Sequence, residues 1–75
     1  MNIQVVNETK LNGFYGVEMT DGTHNVTVSI FDDGYINVKT KRRSPGHMFS
    51  SLEEAVAAYK TLAIKTMITE AVIYA

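Results

Sequence analysis

At 75 residues, 45% hydrophobic and 20% charged with a single proline, the chain has the make-up of one small globular domain spanning 1–75, not of a disordered segment. With no cysteine it has no disulfide staple, no thiol nucleophile and no thiolate metal ligand, and a cytoplasmic location is expected for a domain this small that lacks staples. The net charge of −1 excludes polyanion binding by the surface as a whole, though not by a local patch.

The amino terminus, MNIQVVNETK, lacks the basic and apolar regions of a signal peptide, and a first strand is expected over about 2–7. Three turn signals then recur about ten residues apart: Asn12-Gly13, Asp21-Gly22 and Asp32-Asp33-Gly34. They delimit strands over about 14–20, 23–31 and 35–42. Alternation is clearest in the third, where Val26, Val28 and Ile30 oppose Asn25, Thr27 and Ser29. In the second, Tyr15, Val17 and Met19 oppose Phe14, Gly16, Glu18 and Thr20. In the fourth, Ile36 and Val38 oppose Tyr35, Asn37, Lys39 and Lys41. One apolar and one polar face follow, as in an antiparallel meander.

Ser44-Pro45-Gly46 turns the chain toward a helix over about 51–73. Ser50 and Ser51 are both good N-caps, each with a glutamate three residues on, so a capping box is available in either register. Leu52, Val56, Tyr59, Ala63 and Met67 fall at helical spacing and form a stripe for the sheet. Residues 69–74 are rich in β-branched and aromatic side chains and could instead add a strand; no turn signal separates them from the helix. No run reaches the roughly 18 apolar residues of a membrane span. The expected class is α+β: a three- to four-stranded antiparallel meander followed by one long carboxy-terminal helix packed on one face.

Groups that carry chemistry are sparse. His24 and His47 sit on different elements without the three or four convergent ligands a metal needs. Asp32 and Asp33 suit the turn at Gly34, and the two serines are accounted for as caps. The sequence therefore names no catalytic, cofactor or metal residue, and a non-enzymatic protein is expected. From Gly34 through Leu52, however, Lys39, Lys41, Arg42 and Arg43 occur with no acidic residue, while the rest of the chain is net acidic. Continued alternation would place Lys39, Lys41 and Arg43 on the polar sheet face, with Arg42 toward the core side. Together with Tyr35 and Asn37 they form the candidate contact surface. It suits a protein partner, with nucleic acid as the alternative; as a plain structural device, the same charges would guard an edge strand.

FSSLEEAVAAYKTLA resembles the start of the helix in ethylene-response-factor type DNA-binding domains, through Phe49, Ser51, Glu53, Glu54, Ala55, Ala58 and Tyr59. That resemblance implies three strands before the helix and a sheet face that reads DNA through arginines and tryptophans. This chain has no tryptophan, and Phe14 through Phe31 contains no lysine or arginine, so only Lys39 and Lys41 sit on the sheet where basic readers would stand. In size and style the chain is also similar to small phage-encoded inhibitors of the anti-restriction and anti-CRISPR kind, which implies a viral protein that blocks a host or defence component.

A straight helix from Ser51 to Tyr74 would rise about 36 Å and overhang strands of about 26 Å. Its carboxy-terminal half is apolar on several sides, so a two-fold homodimer through Ile64, Met67, Ile68, Val72 and Ile73 is expected.

Overall fold

The computed structural model describes residues 2–75. Five strands form one antiparallel sheet in simple sequential order: β1 (Gln4–Leu11), β2 (Phe14–Thr20), β3 (Asn25–Phe31), β4 (Ile36–Lys39) and β5 (His47–Phe49). Two helices follow, α1 (Leu52–Ala57) and α2 (Leu62–Tyr74), and pack on one face. The α+β meander with carboxy-terminal helical cover is as expected. The strand count, the first strand's bounds and the single helix are not.

The middle of the sheet follows the side-chain alternation. Tyr15, Val17 and Met19 of β2, Val26 and Val28 of β3, and Ile36 and Val38 of β4 are all buried toward the helices. Their partners in register, such as Val17 with Val28 and Val28 with Val38, carry the core straight across three strands. From the helical side Ala55, Ala63, Met67, Ile68 and Ala71 complete it, and no polar side chain is buried among the described residues.

β1 runs from Gln4 to Leu11, not 2–7, and skips register at Val6 between the pairs Val5–Met19 and Asn7–Glu18. Every β1 residue is exposed, because the helices lie over the other side of the sheet, so the strand carries no apolar alternation to reveal its length. What binds it is the ladder to β2 and a few side chains: the Tyr15 hydroxyl donates to Glu8 Oε2, and Lys10 Nζ lies 5.5 Å from the Tyr15 ring centre. The bulge and these charges also blunt a free sheet edge.

β4 ends at Lys39, not at 42, and residues 40–46 loop back to add β5, with Phe49 opposite Ile36 and His47 opposite Val38. The loop closes on Gly46, at φ +86°, where a Cβ would stand 2.7 Å from Asn37 Nδ2 and 3.0 Å from the Val38 carbonyl oxygen. Only glycine fits both the backbone angle and the space.

Ser51 is the N-cap of α1, accepting from the Glu54 N–H at 3.1 Å, while the Ser50 hydroxyl donates to the Glu54 carboxylate at 2.8 Å. The expected 51–73 helix is broken at residues 58–61. Tyr59 turns in against Phe49, ring centres 6.1 Å apart and nearly perpendicular, and Lys65 of α2 donates to the Val56 carbonyl at the end of α1 (2.7 Å). A cation at a helix carboxy terminus suits the dipole, and the same carbonyl also accepts from the Tyr59 N–H at 3.4 Å. The break lets both halves lie within a molecule whose longest extent is 30 Å, where a straight helix of about 36 Å would not fit. Residues 69–74 remain helical and add no strand. Neither helix is long and apolar enough to cross a membrane.

Candidate polar cup on the outer sheet face

The face turned away from the helices is built by the other phase of the same strands. In register across it run Asn7, Glu18, Thr27 and Lys39, then one step along Thr9, Gly16, Ser29, Asn37 and Met48, and at the far end Leu11, Phe14 and Phe31. The Phe14 and Phe31 rings lie 5.3 Å apart, tilted by 58°, and Phe14 folds over Gly16 so closely that a Cβ there would meet the ring at 3.0 Å. The missing side chain of Gly16 and the small one of Ser29 leave a shallow trough of about 160 Å³ beside that ring.

Next to the trough lies a larger cup of about 550 Å³, which shares Glu18 and Thr27 with it. Strand residues Glu18, Asn25, Thr27 and Lys39 line the cup on the sheet; Thr40, Lys41 and Arg42 of the loop close its side. The loop is held in place from β4: Asn37 Nδ2 donates to the Pro45 carbonyl at 3.3 Å, and the Ser44 N–H returns to the Lys41 carbonyl at 3.1 Å. Among the described residues the one contact between a basic and an acidic side chain is His24 Nδ1 with Asp21 Oδ2 at 3.1 Å, so Lys39, Lys41 and Arg42 reach the cup without a carboxylate partner there. Glu18 and Lys39 stand two strands apart with Thr27 between them.

Of the residues singled out in the sequence, Lys39, Lys41 and Arg42 converge. Arg42 had been expected on the core side and Arg43 on the outer face; because the strand stops at Lys39, alternation no longer governs residues 41–43, and Arg42 lines the cup while Arg43 stands exposed outside it. Asn37 acts as a loop fastener, and Tyr35 lies at the opposite end of β4, next to the Asp32-Asp33 turn, where its carbonyl accepts from the Phe31 N–H. Glu18, Asn25 and Thr27 fall on the polar face by alternation, and strand register adds that Glu18 and Thr27 stand in line with Lys39.

The expected dimer surface is corrected in part. Met67 and Ile68 are fully buried in the chain's own core, and Ile64 and Val72 pack against it; of the five residues only Ile73, 73% exposed, faces outward. The helix break is the reason, since it lays α2 across the sheet, with α1 against it.

Titration marks structure more than chemistry. Backbone N–H donors of His24 and Thr23, with the His24 ring, hold the Asp21 carboxyl down at about 2, which fixes the β2–β3 turn. Burial, then the hydrogen bond to Glu8, pushes Tyr15 up to about 12. Burial also raises Tyr59, whose hydroxyl has no partner among the described residues. No group of three or more histidine, aspartate or glutamate side chains converges among the described residues.

No family model, no curated protein and no solved structure matches this chain.

Proposed function

We propose that the protein is a non-enzymatic binding module that grips a protein partner through the outer face of its sheet and acts as an inhibitor by occupying it. One observation carries this reading: Lys39, Lys41 and Arg42, without an ion-pair partner among the described residues, line one concave cup together with hydrogen-bonding Asn25, Thr27 and Thr40. Such a surface offers charge and hydrogen bonds for an acidic partner segment, and none of its groups is set up as a nucleophile beside a base. The cysteine-free composition supports a cytoplasmic place of action.

Nucleic acid is the second reading, favoured by the same three cations. Glu18 in the cup and the net charge of −1 weigh against it, because specific duplex binders make about six to ten phosphate contacts. Self-association stays within the proposal in a narrowed form: a two-fold contact through α2 would use Leu62, Thr69 and Ile73, and Ile73→Glu would lower a concentration-dependent mass.

A gel-shift titration with mixed single- and double-stranded DNA and RNA at two salt concentrations tests the choice. The expected result is no shift at low salt, together with a partner from the native host retained by the wild type and lost by a Lys39→Ala/Lys41→Ala/Arg42→Ala variant. A shift that falls steeply with salt would replace the protein partner with nucleic acid.

A further inference from the structure

The outer face is charged in opposite senses at its two ends. The β2–β3 turn and the loop after β4 lie at one end, the Asn12-Gly13 and Asp32-Asp33 turns at the other. At the first end are Lys39, Lys41, Arg42 and, just outside the cup, Arg43. The acidic groups there are few: Glu18 in the cup, and Asp21, whose carboxylate is occupied by two backbone N–H groups and the His24 ring. At the second end, beside the Phe14–Phe31 pair, stand Asp32 and Asp33, both exposed and outside any ion pair among the described residues; Asp33 Oδ1 accepts from the Tyr35 N–H at 3.2 Å, and the one cation there, Lys10, shares a cavity with Asp32 but lies over the Tyr15 ring. Between the ends lies the trough over Gly16 and Ser29, which shares Glu18 and Thr27 with the cup. From Phe31 to Thr27 is four strand residues, about 13 Å, so the whole run from the Asp32 turn to the cup is a little over 20 Å.

A polynucleotide does not match this pattern. A base stacked on Phe14 would bring its flanking phosphates against Asp32 and Asp33, at a face that is attractive only at its other end. An extended peptide matches it. At roughly 3.3 Å per residue, seven or so residues span the face, and their side chains can differ in sign from end to end.

Resting on the reading of the cup as a protein-binding surface, we infer that its ligand is an extended, charge-polarised peptide segment. It places one or two acidic residues in the Lys39–Lys41–Arg42 cup, an aromatic or aliphatic side chain about four residues away on the Phe14–Phe31 pair, and a basic residue beyond it against Asp32 and Asp33. Polarity gives such a site orientation as well as affinity, because a reversed ligand meets like charge at both ends. Gly16 is required by this scheme, since any side chain there would displace the Phe14 ring and fill the trough.

Fluorescein-labelled nonapeptides measured by anisotropy test it. The probes are a peptide with Asp-Glu at one end, Phe four residues on and Lys-Lys at the far end; its sequence reversal, since chain direction on the face is open; a charge-scrambled isomer; and a mixed-sequence single-stranded oligonucleotide. Saturable binding of one polarised peptide is expected, at least tenfold tighter than the scrambled isomer. Asp32→Asn/Asp33→Asn, which keeps an acceptor in the turn, should weaken it about threefold to tenfold and spare a peptide whose far end is neutral. Lys41→Glu/Arg42→Glu should abolish binding of the polarised peptide. Equal binding of the scrambled isomer, with loss in Lys41→Glu/Arg42→Glu but none in Asp32→Asn/Asp33→Asn, would overturn the polarity and leave the cup standing as a contact site. Peptide binding indifferent to Lys41→Glu/Arg42→Glu would remove the cup itself, and oligonucleotide binding in place of peptide, or no saturable binding up to millimolar concentration, would overturn the inference.

Discussion

Strands β2, β3 and β4 present two faces that differ by a shift of one residue and by nearly everything else. On the inner face Val17, Val28 and Val38 are at most 1% exposed and face a helical layer without a buried polar side chain among the described residues. On the outer face Gly16 and Ser29 on one rung, and Thr27 and Lys39 on another, stay half-exposed, and the cup and the trough lie there. Burial constrains the inner residues by volume and polarity, so nearly any change there costs stability. The outer residues are constrained only by β propensity and by what they touch outside the chain. A domain of this size has room for one core, and the face left without cover is where function can be placed at little cost to the fold.

The sharpest way to break that contrast is to put one charge on each side of α2. Ile68→Glu introduces a carboxylate where the side chain is wholly buried, and the cost should be on the order of 5 kcal/mol, comparable to the whole stability expected of such a domain. Ile73→Glu, on the 73% exposed side, should change stability by less than about 0.5 kcal/mol when measured at a protein concentration low enough for the chain to be monomeric. Circular dichroism in a urea titration reads both: the first variant should be unfolded without denaturant, and the second should keep the wild-type midpoint. A folded Ile68→Glu protein would mean that α2 is not seated as described.

Gly46→Ala should come next, at roughly 1–3 kcal/mol, because alanine is strained at φ +86° and its Cβ would press on Asn37 and the Val38 carbonyl. This residue joins the two faces: it closes the loop that adds β5 to the sheet and brings Lys41 and Arg42 over the cup. Binding should therefore fall along with the urea midpoint, whereas Gly22→Ala, with nothing within 4 Å, carries the backbone strain without the contact. Equal losses for the two would show that the contact with Asn37 and Val38 is unimportant.

The same two faces mark what could be read from the residues alone. β2, β3 and the start of β4 were legible because one side is covered, and burial imposes an alternation of period two. The serine cap was legible because its partners are local. β1 was misjudged because it is exposed on both faces and its length is held by backbone pairing with β2, which leaves no pattern in side-chain type. β5 is three residues long and depends on Gly46 packing against β4, a contact with no local signal. The helix break needs Tyr59 to find Phe49 and Lys65 to reach Val56, both tertiary events without a glycine or proline to announce them. At the site, the cations were visible as a cluster. Their membership differs because alternation ends with the strand at Lys39; Glu18, Asn25 and Thr27 fall on the polar face by alternation, and register adds which of them stand beside Lys39.

Titration offers a milder test, confined to the extremes of pH. Tyr15 has its folded pKa raised from 10.0 to about 12, so the unfolded chain loses this proton first; its contribution is complete below pH 10 and is lost as pH rises toward 12. Asp21 runs the other way: lowered from 3.8 to about 2, it contributes above pH 3.8 and loses that contribution as pH falls through 2. Stability should be flat with respect to these two groups between about pH 5 and 9. Tyr15→Phe should flatten the alkaline limb of urea midpoints recorded from pH 9 to 12 and leave the acid limb unchanged. An unaltered alkaline limb would detach that loss from ionisation of the buried, Glu8-bonded Tyr15 hydroxyl.

The smallest expected change in stability belongs to the residues with the largest proposed role. Lys41 and Arg42 are exposed, and neither they nor Lys39 make an ion pair among the described residues. Removing their charges therefore breaks no internal contact of that kind and relieves mutual repulsion among three cations that line one cup. Against this, the half-buried stem of Lys39 lies beside Thr27 across the strand pair, and truncation gives up some of its packing. The two effects oppose each other, and each is a few tenths of a kcal/mol at such sites. Lys39→Ala/Lys41→Ala/Arg42→Ala should thus keep its urea midpoint within about 0.5 kcal/mol of wild type while losing at least tenfold in affinity for the polarised peptide. A drop of more than about 1 kcal/mol would show instead that the cations hold the 40–46 loop in place, and any loss of binding would then follow from the collapse of the cup, not from contacts made by its charges.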